Sequence, residues 1–194
     1  MSSSRLPLKN LGLSGLALGL VLIIAAWLGV DQQTVNRVLS SLDSQPPGYY
    51  AVANFIDGDT LEVDMGGSVE RIRFIGLDTP EKNHPQKPVQ CFAKAASRHL
   101  EELIGNQPIR LEADPTNQNR DRYDRLLRYV YLQDGTLLNA KQIEDGYGFA
   151  YTAFPFEKMD EFRALEEKAR QAERGLWGSC KIMEDNGFIS TSPV

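Results

Sequence analysis

The sequence predicts an α+β protein built on a five-stranded OB-type β-barrel, preceded by one transmembrane helix. One helix is expected between the third and fourth strands, and C-terminal helices are expected to pack on the barrel. Three observations lead to this prediction: an uncharged apolar run near the N-terminus, alternation of apolar and polar residues from Tyr49 onward, and helically spaced apolar residues further on. The 194 residues suffice for one domain with a core and an appendage.

Residues 11–30 form the apolar run and carry no charge. A helix of this length spans about 30 Å, the thickness of the hydrocarbon core of a bilayer. Because Arg5 and Lys9 precede the run, the positive-inside rule places the N-terminus in the cytoplasm and the domain on the extracytoplasmic side. We expect an uncleaved signal anchor in a single-pass membrane protein. The alternative is a secreted protein released by signal-peptide cleavage, although no small-x-small cleavage site stands out.

Changes in composition along the chain give its domain boundaries. The segment after the anchor ends at Pro46-Pro47-Gly48, which breaks any helix. The predicted parts are a cytoplasmic N-terminus (1–10), the transmembrane signal anchor (11–30), a linker (31–48), the barrel domain (49–180) and a C-terminal tail (181–194).

Within the domain, alternating apolar residues predict strands and helically spaced ones predict helices. Asp57-Gly58 and Gly66-Gly67 are turn signals between the first three strands. Pro80 ends the third strand, because proline cannot extend the hydrogen-bond ladder. The predicted strands are 50–56, 61–65, 69–77, 108–113 and 126–132. The predicted helices are 89–104, 139–145 and 156–174.

Carboxylates lie at the turns that bound these strands. Asp59 opens the second strand and Asp78 closes the third, and in an antiparallel hairpin those two ends are neighbours. Asp59, Asp78 and Glu81 are hard oxygen donors of the kind that calcium prefers. Arg73 brings planar donors that suit a phosphate. A metal site beside a phosphate clamp indicates a phosphodiesterase.

Single members of this set also have ordinary structural explanations. Asp-Gly turns are common in hairpins and most are solvated, and Arg73 could form a surface ion pair with Glu62 or Glu70. The net charge of −5 is unfavourable for a nucleic-acid partner, so binding would depend on a local cationic cluster. The ordered combination of carboxylates and arginines argues for a function more strongly than any one residue.

Cys91 and Cys180 are the two cysteines of the chain. An even pair in an exported domain predicts a disulfide, which would tie the C-terminal helix to the barrel. Closing a loop of about 90 residues would stabilise the fold by up to about 4 kcal/mol.

From about residue 50 to residue 177 the chain resembles the staphylococcal (micrococcal) nuclease family, the thermonuclease-like domain. Three motifs carry the resemblance: DGDT at 57–60, RFIGLDTPE at 73–81 with the following KNHPQKP, and DRYDRLLRYVY at 121–131. Their order, spacing and strand context agree with the family. The resemblance implies calcium-dependent cleavage of DNA and RNA that leaves 3′-phosphate ends.

The resemblance also implies a role for each matching residue. Asp59 and Asp78 would ligate calcium together with the backbone carbonyl of Thr79, and Glu81 would orient or deprotonate the attacking water. Arg73 and Arg125 would grip the scissile phosphate. Two tyrosines would contact the nucleotide, Tyr123 and, after a segment one residue shorter than in the family, Tyr151.

One residue departs from the family motif, since Asp124 stands where glycine is usual, beside Arg125. It could weaken phosphate affinity or form a surface ion pair. The alternative function is a catalytically inactive nucleic-acid-binding OB module tethered to the membrane. A third hypothesis, an exported scaffold whose acidic surface binds a protein, predicts that Asp59 and Asp78 can be replaced without consequence. No particular protein partner is inferred.

Overall fold

The computed structural model describes residues 31, 48–82, 88–185 and 187–194. The strands of this part of the chain are β1 (Tyr49–Phe55), β2 (Thr60–Asp64), β3 (Val69–Phe74), β4 (Leu77–Asp78), β5 (Ile109–Glu112), β6 (Leu126–Tyr131), β7 (Phe149–Ala150), β8 (Ile182–Asp185) and β9 (Phe188–Thr191). The helices are α1 (Ala93–Ile104), α2 (Leu138–Glu144), α3 (Met159–Gln171) and α4 (Leu176–Ser179).

Five strands close into a barrel in the order β1-β2-β3-β6-β5. β2 pairs antiparallel with β1 and β3, and β5 pairs antiparallel with β1 and β6. β3 and β6 run parallel, with Arg73 opposite Leu127. The predicted barrel, with a helix between its third and fourth strands and further helices after it, is therefore confirmed.

The core lies inside the barrel and beneath the helices. Leu61 and Val63 are fully buried and alternate with the half-buried Glu62, because successive side chains of a strand point to opposite faces. Leu100 of α1 and Phe162 of α3 close the core from the helical side. Burying each such side chain contributes about 1.5–3 kcal/mol.

The predicted third strand, 69–77, is two strands. Gly76 adopts φ 69° and turns the chain after β3, so that β4 pairs with β7 and not with the barrel. A Cβ on Gly76 would lie 2.5 Å from the ring of Phe156, so glycine is also required by the packing. The short β7 and β4 are paired across a long stretch of sequence, which local patterns do not reveal.

The first helix begins at Ala93 and not at residue 89, because Phe92 has φ 71° and interrupts the helical backbone. Just before it, Cys91 forms the predicted disulfide with Cys180. The last long helix likewise begins late, at Met159, and is followed by the additional short helix α4.

Residues 181–194, predicted as a tail, contain the antiparallel β8-β9 hairpin. Backbone hydrogen bonds fasten its base to the segment before α1. The Cys91 N–H donates to the carbonyl of Ser192 (2.8 Å), and the Val194 N–H donates to that of Val89 (3.0 Å). The hydroxyl of Thr191 also donates to the carbonyl of Cys91 (2.8 Å).

The predicted anchor at 11–30 and almost all of the linker at 31–48 lie outside the described residues. In the described part of the chain, no helix has both the length and the apolar character needed to cross a bilayer.

Candidate active site

Asp59 is held in place by the segment that follows β4. It is 5% exposed, and its Oδ2 accepts hydrogen bonds from the N–H (2.8 Å) and the hydroxyl (3.1 Å) of Thr79. Its Oδ1 accepts the hydroxyl of Thr60 (2.9 Å). The adjacent Gly58 allows this turn to pack tightly, because a Cβ there would lie 2.9 Å from both Thr79 Cγ2 and Ala96 Cβ. The carboxylate of Asp59 therefore has a fixed orientation.

Arg73 joins the two predicted metal-binding carboxylates. Its Nη1 lies 2.5 Å from Oδ1 of Asp59, and its Nη2 donates to Oδ1 of Asp78 at 2.8 Å. One guanidinium thus spans both acidic groups, which places them on the same side of β3. Asp78 reaches this position from β4, after the turn at Gly76, and not from the end of the third barrel strand.

The carboxyl groups here lie close together and are partly shielded from water. Burial raises the pKa of Asp57 to about 8, with the Asp59 carboxylate as a second cause. Burial also raises the pKa of Asp78 to about 6, against the opposing effect of Arg73. For Asp59, burial acts in the same direction, but Arg73 and the Thr79 N–H outweigh it, so that its pKa is lowered. The raised pKa values of Asp57 and Asp78 mean that their charged forms are destabilised here, and a nearby cation would stabilise them.

Within residues 48–82, 88–185 and 187–194, no three His, Cys, Asp or Glu side chains form a group that could hold a metal. A cation beside Asp59 and Asp78 would therefore complete its shell with backbone carbonyls and water. Calcium accepts such mixed oxygen ligands, whereas structural zinc sites use four His or Cys side chains. The donor set present here fits a hard cation.

Glu81 lies just beyond this cluster, and its backbone is clamped by Gln90. The Glu81 N–H donates to Oε1 of Gln90 (2.6 Å), and the Gln90 N–H donates to the carbonyl of Glu81 (3.1 Å). The negative charge of Glu81 contributes to the raised pKa of Asp78, so the two side chains are close enough to interact. Sequence analysis did not identify Gln90, because a lone amide beside a cysteine carries no recognisable pattern.

Another missed contributor is Gln142 on α2, which is fully buried. Its side-chain N–H group donates to the carbonyls of Gly58 (2.8 Å) and Ala96 (3.1 Å). It therefore ties the turn that carries Asp59 to two helices. In the sequence, Gln142 is visible only as a polar residue between the apolar residues of a predicted helix.

Asp121 positions Arg125, the last residue before β6. Its Nε and Nη2 both lie 2.7 Å from Oδ2 of Asp121, whose Oδ1 accepts the backbone N–H of Arg125 (3.0 Å). β3 and β6 are parallel neighbours, and Leu127, opposite Arg73, follows Arg125 by two residues. Both arginines line one cavity of about 810 Å³.

Asp124 does not pair with Arg125. Its side chain is 88% exposed, and its Oδ1 lies 3.5 Å from Nε of Arg120, whose Nη1 donates to the Asp124 carbonyl (2.7 Å). The surface ion pair expected for Asp124 is therefore present, with Arg120 as the partner. The backbone at Asp124 has φ 63°, the left-handed conformation that glycine adopts without strain.

The two predicted tyrosines both line the cavity that holds Arg73 and Arg125. Tyr123 is 64% exposed, and the guanidinium carbon of Arg125 lies 5.4 Å from its ring centre. Tyr151 donates its N–H to the carbonyl of Gly76 (2.9 Å), and its ring contacts Phe154 and Phe188 with centroids 6.2 Å and 6.5 Å away. Sequence analysis had not identified the two phenylalanines.

Comparison with known proteins agrees with this geometry. Residues 71–179 match the family described as Staphylococcal nuclease homologue. The chain is 37% identical over 156 residues to the thermonuclease of Staphylococcus intermedius. The aligned residues cover 80% of this chain and 87% of that protein. It is 33% identical over 169 residues to the thermonuclease of Staphylococcus hyicus, covering 83% of this chain and 96% of the relative.

A further relative is a longer protein. The SPbeta prophage-derived endonuclease YokF of Bacillus subtilis (strain 168) is 34% identical over 135 residues, which are 69% of this chain and 45% of YokF. The chain thus spans less than half the length of that relative.

Proposed function

The chain belongs to the staphylococcal nuclease homologue family and is a nuclease; from this premise we propose that it hydrolyses phosphodiester bonds of DNA and RNA with one calcium ion. In keeping with the family resemblance, cleavage leaves 3′-phosphate ends. The observation that best supports the proposal is the convergence of Asp59 and Asp78 on the guanidinium of Arg73, in a cavity that also holds Arg125.

The proposed calcium ligands are the carboxylates of Asp59 and Asp78, the backbone carbonyl of Thr79 and water. All are hard oxygen donors of the kind that calcium takes. When bound, the ion would offset negative charge at the diester and lower the pKa of a coordinated water. The raised pKa values of Asp57 and Asp78 support the proposal, because a dication would relieve the repulsion that causes part of each shift.

Arg73 and Arg125 are proposed to hold the scissile phosphate. Attack by water adds negative charge to the phosphate oxygens, and donors already aimed at those oxygens stabilise the transition state. A guanidinium suits the task because its fork contacts two oxygens together. Each arginine is now paired with carboxylates, so that an incoming phosphate would exchange with existing ion pairs and would meet side chains that are already oriented.

Glu81 is proposed to orient the attacking water and accept its proton. Its position beyond Asp78, with the backbone clamped at both N–H and carbonyl by Gln90, supports this role. Tyr123 and Tyr151 are proposed to contact the nucleotide, and both line the same cavity as the arginines.

We further propose that the domain works outside the cytoplasm, tethered by residues 11–30 as a single-pass anchor, with secretion after signal-peptide cleavage as the alternative. The disulfide between Cys91 and Cys180 supports an oxidising compartment. Protease treatment of intact cells tests this placement: the domain should be digested from outside, whereas protection would contradict it.

The activity is tested by incubating the full-length protein, purified in detergent, with single-stranded DNA or RNA in calcium and then in EDTA. We expect rapid cleavage in calcium, loss of cleavage in EDTA, and products that accept a 5′-kinase label but resist 3′ extension. Binding of the strand in calcium without cleavage would favour the inactive OB module instead.

A further inference from the structure

The β8-β9 hairpin lies outside the part of the chain that matches the family, which ends at residue 179. It is nevertheless firmly attached. The disulfide at Cys180 fixes the chain where the hairpin begins, and hydrogen bonds from Thr191 and Val194 fix it where the hairpin ends. The hairpin is therefore fastened to the domain at both of its ends.

The hairpin brings Phe188 to the rim of the candidate active site. The ring of Phe188 is 57% exposed and faces the ring of Tyr151, with centroids 6.5 Å apart and planes inclined by 29°. This distance is at the long end of the range for aromatic pairs, and Phe188 keeps more than half of its surface exposed.

Two cavities meet at these rings. The larger one, of about 810 Å³, contains Arg73 and Arg125, and the smaller one, of about 310 Å³, contains Arg163; Tyr151 and Phe188 line both. The smaller cavity also contains the carboxyl groups of Asp78 and Glu166, so the charge that suits a polyanion is that of the arginines in the larger cavity. A strand whose scissile phosphate sits at Arg73 and Arg125 would meet the two rings at the boundary between the cavities.

The hairpin itself is suited to bases and not to phosphates. β8 carries two carboxylates, Glu184 and Asp185. They would repel a sugar-phosphate backbone that ran along the hairpin. Stacking on an aromatic face has no such penalty, because every base has a π face and carries no charge.

We propose that Phe188 is a base-stacking residue, and that together with Tyr151 it forms a subsite for the nucleotide next to the scissile phosphate on a single strand. The inference rests on the proposed nuclease function and extends it. The subsite favours unpaired strands, since a base held in a duplex cannot present its face to a ring. It accepts any base, because stacking does not read hydrogen-bond groups.

The test measures cleavage by the full-length protein of a single-stranded 12-mer and of an abasic 12-mer, whose sugar-phosphate backbone carries no base to stack. Replacing Phe188 by Ala should raise KM for the 12-mer roughly 5- to 100-fold, the loss typical of one stacked base. Neither kcat nor cleavage of the abasic 12-mer should change by more than about twofold. Phe188→Trp should keep the wild-type KM, because indole also offers a π face.

Two further variants separate stacking from simpler explanations. Phe188→Leu keeps an apolar side chain without a π face and should behave as Phe188→Ala. Met183→Ala removes another exposed apolar side chain of the hairpin, one that lines neither cavity, and should match wild type. Wild-type KM for Phe188→Ala or for Phe188→Leu, or an equal loss for Met183→Ala, would overturn the proposal.

A failure of the proposed function would be recognised separately. If the wild-type protein does not cut the 12-mer in calcium, fluorescence anisotropy with the same labelled 12-mer still measures its affinity. Weaker binding by Phe188→Ala and not by Met183→Ala would then support the subsite in a binding protein. Equal affinities would overturn it. If the wild-type protein bound lipid vesicles or a second copy of the chain and did not bind the 12-mer, the proposal would be overturned, because the Phe188 ring would then face a different partner.

Discussion

Arg73 makes both of its ion pairs through the two Nη atoms of one planar group, with Asp59 at 2.5 Å and Asp78 at 2.8 Å. Lysine has a single ammonium and cannot reproduce this fork. We therefore expect Arg73→Lys to lower kcat/KM at least about 100-fold, although the charge is kept. Steady-state cleavage of single-stranded DNA in calcium measures the effect.

Arg71→Lys is the matched control, because Arg71 lies on the same strand and pairs with Glu62 on the exposed outer face. It should cleave at the wild-type rate. Equal activity of both variants would mean that Arg73 acts only as a cation, or does not contact the diester.

Asp124 is strained by its backbone and only loosely held by its side chain. With φ at 63°, glycine should fit better, and an alanine should fit worse. We expect Asp124→Gly to raise the free energy of unfolding by about 0.5 kcal/mol and Asp124→Ala to lower it by about 1 kcal/mol. Both variants lose the exposed ion pair with Arg120, so the difference between their free energies of unfolding, measured by urea denaturation, reports the effect of the backbone conformation alone. A change of the same sign in both variants would contradict it.

At this scale the sequence identified most of the candidate site, because motif residues keep their order and spacing. Arg73, Asp78, Arg125 and both tyrosines line one cavity, and the buried Asp59 is ion-paired with Arg73. The residues that hold them were not identified. Gln142 acts through contacts with segments distant in sequence, whereas Asp121 and Gln90 bond residues four and nine positions away. All three residue types are common, so none carries a recognisable pattern.

Among the structural elements, the segment before α1 links three features: the disulfide, the hairpin and Glu81. Gln90 is its key residue, since it bonds Glu81 in both directions and lies next to Cys91. We expect Gln90→Ala to lower kcat by about 2- to 10-fold, the effect of one lost hydrogen bond, with little change in KM. Gln90→Glu should restore most of the rate, because a carboxylate oxygen can accept the same N–H.

A positioning role is distinguished from general damage by the split between the two constants. If Gln90→Ala raised KM and left kcat unchanged, or if Gln90→Glu were as slow as Gln90→Ala, Gln90 would not act through Glu81. Thermal unfolding of both variants in parallel shows whether the fold is preserved.

The barrel strands and the long helices followed from apolar periodicity, since each buries one face against a common core. The elements that periodicity did not predict are short or depend on partners far away. β4 and β7 have two residues each, and the burial of β8 and β9 does not alternate from residue to residue, so no periodic pattern marks them. The start of α1 was misplaced because the positive φ of Phe92 has no sequence signature.

For the molecule as a whole, the raised pKa values of Asp57 and Asp78 make the free energy of unfolding depend on pH in the absence of metal. A carboxyl whose pKa is raised on folding stabilises the folded state fully below its unfolded pKa. It loses that contribution as the pH rises through the folded pKa. With Asp78 raised to about 6 and Asp57 to about 8, the free energy of unfolding in EDTA should fall between pH 5 and pH 8.5.

Calcium should reverse this trend, because it binds the deprotonated carboxylates and binds the folded state alone. The increase in melting temperature on adding calcium should therefore be larger at pH 8 than at pH 5. The lowered pKa of Asp59 acts only at more acid pH and does not alter the sign in this window. An equal calcium effect at both pH values would argue against a shared carboxylate site.

The most direct measurement of the central claim is a calorimetric titration of calcium into the full-length protein and into Asp59→Asn, Asp78→Asn and Asp134→Asn variants. Asp134 is an exposed turn carboxylate far from the cluster in sequence and serves as the charge-matched control. The account predicts one calcium per chain in wild type and in Asp134→Asn, and at least a tenfold loss of affinity in each of the other two. Unchanged calcium binding by Asp59→Asn or Asp78→Asn would contradict a single ion shared by these two carboxylates.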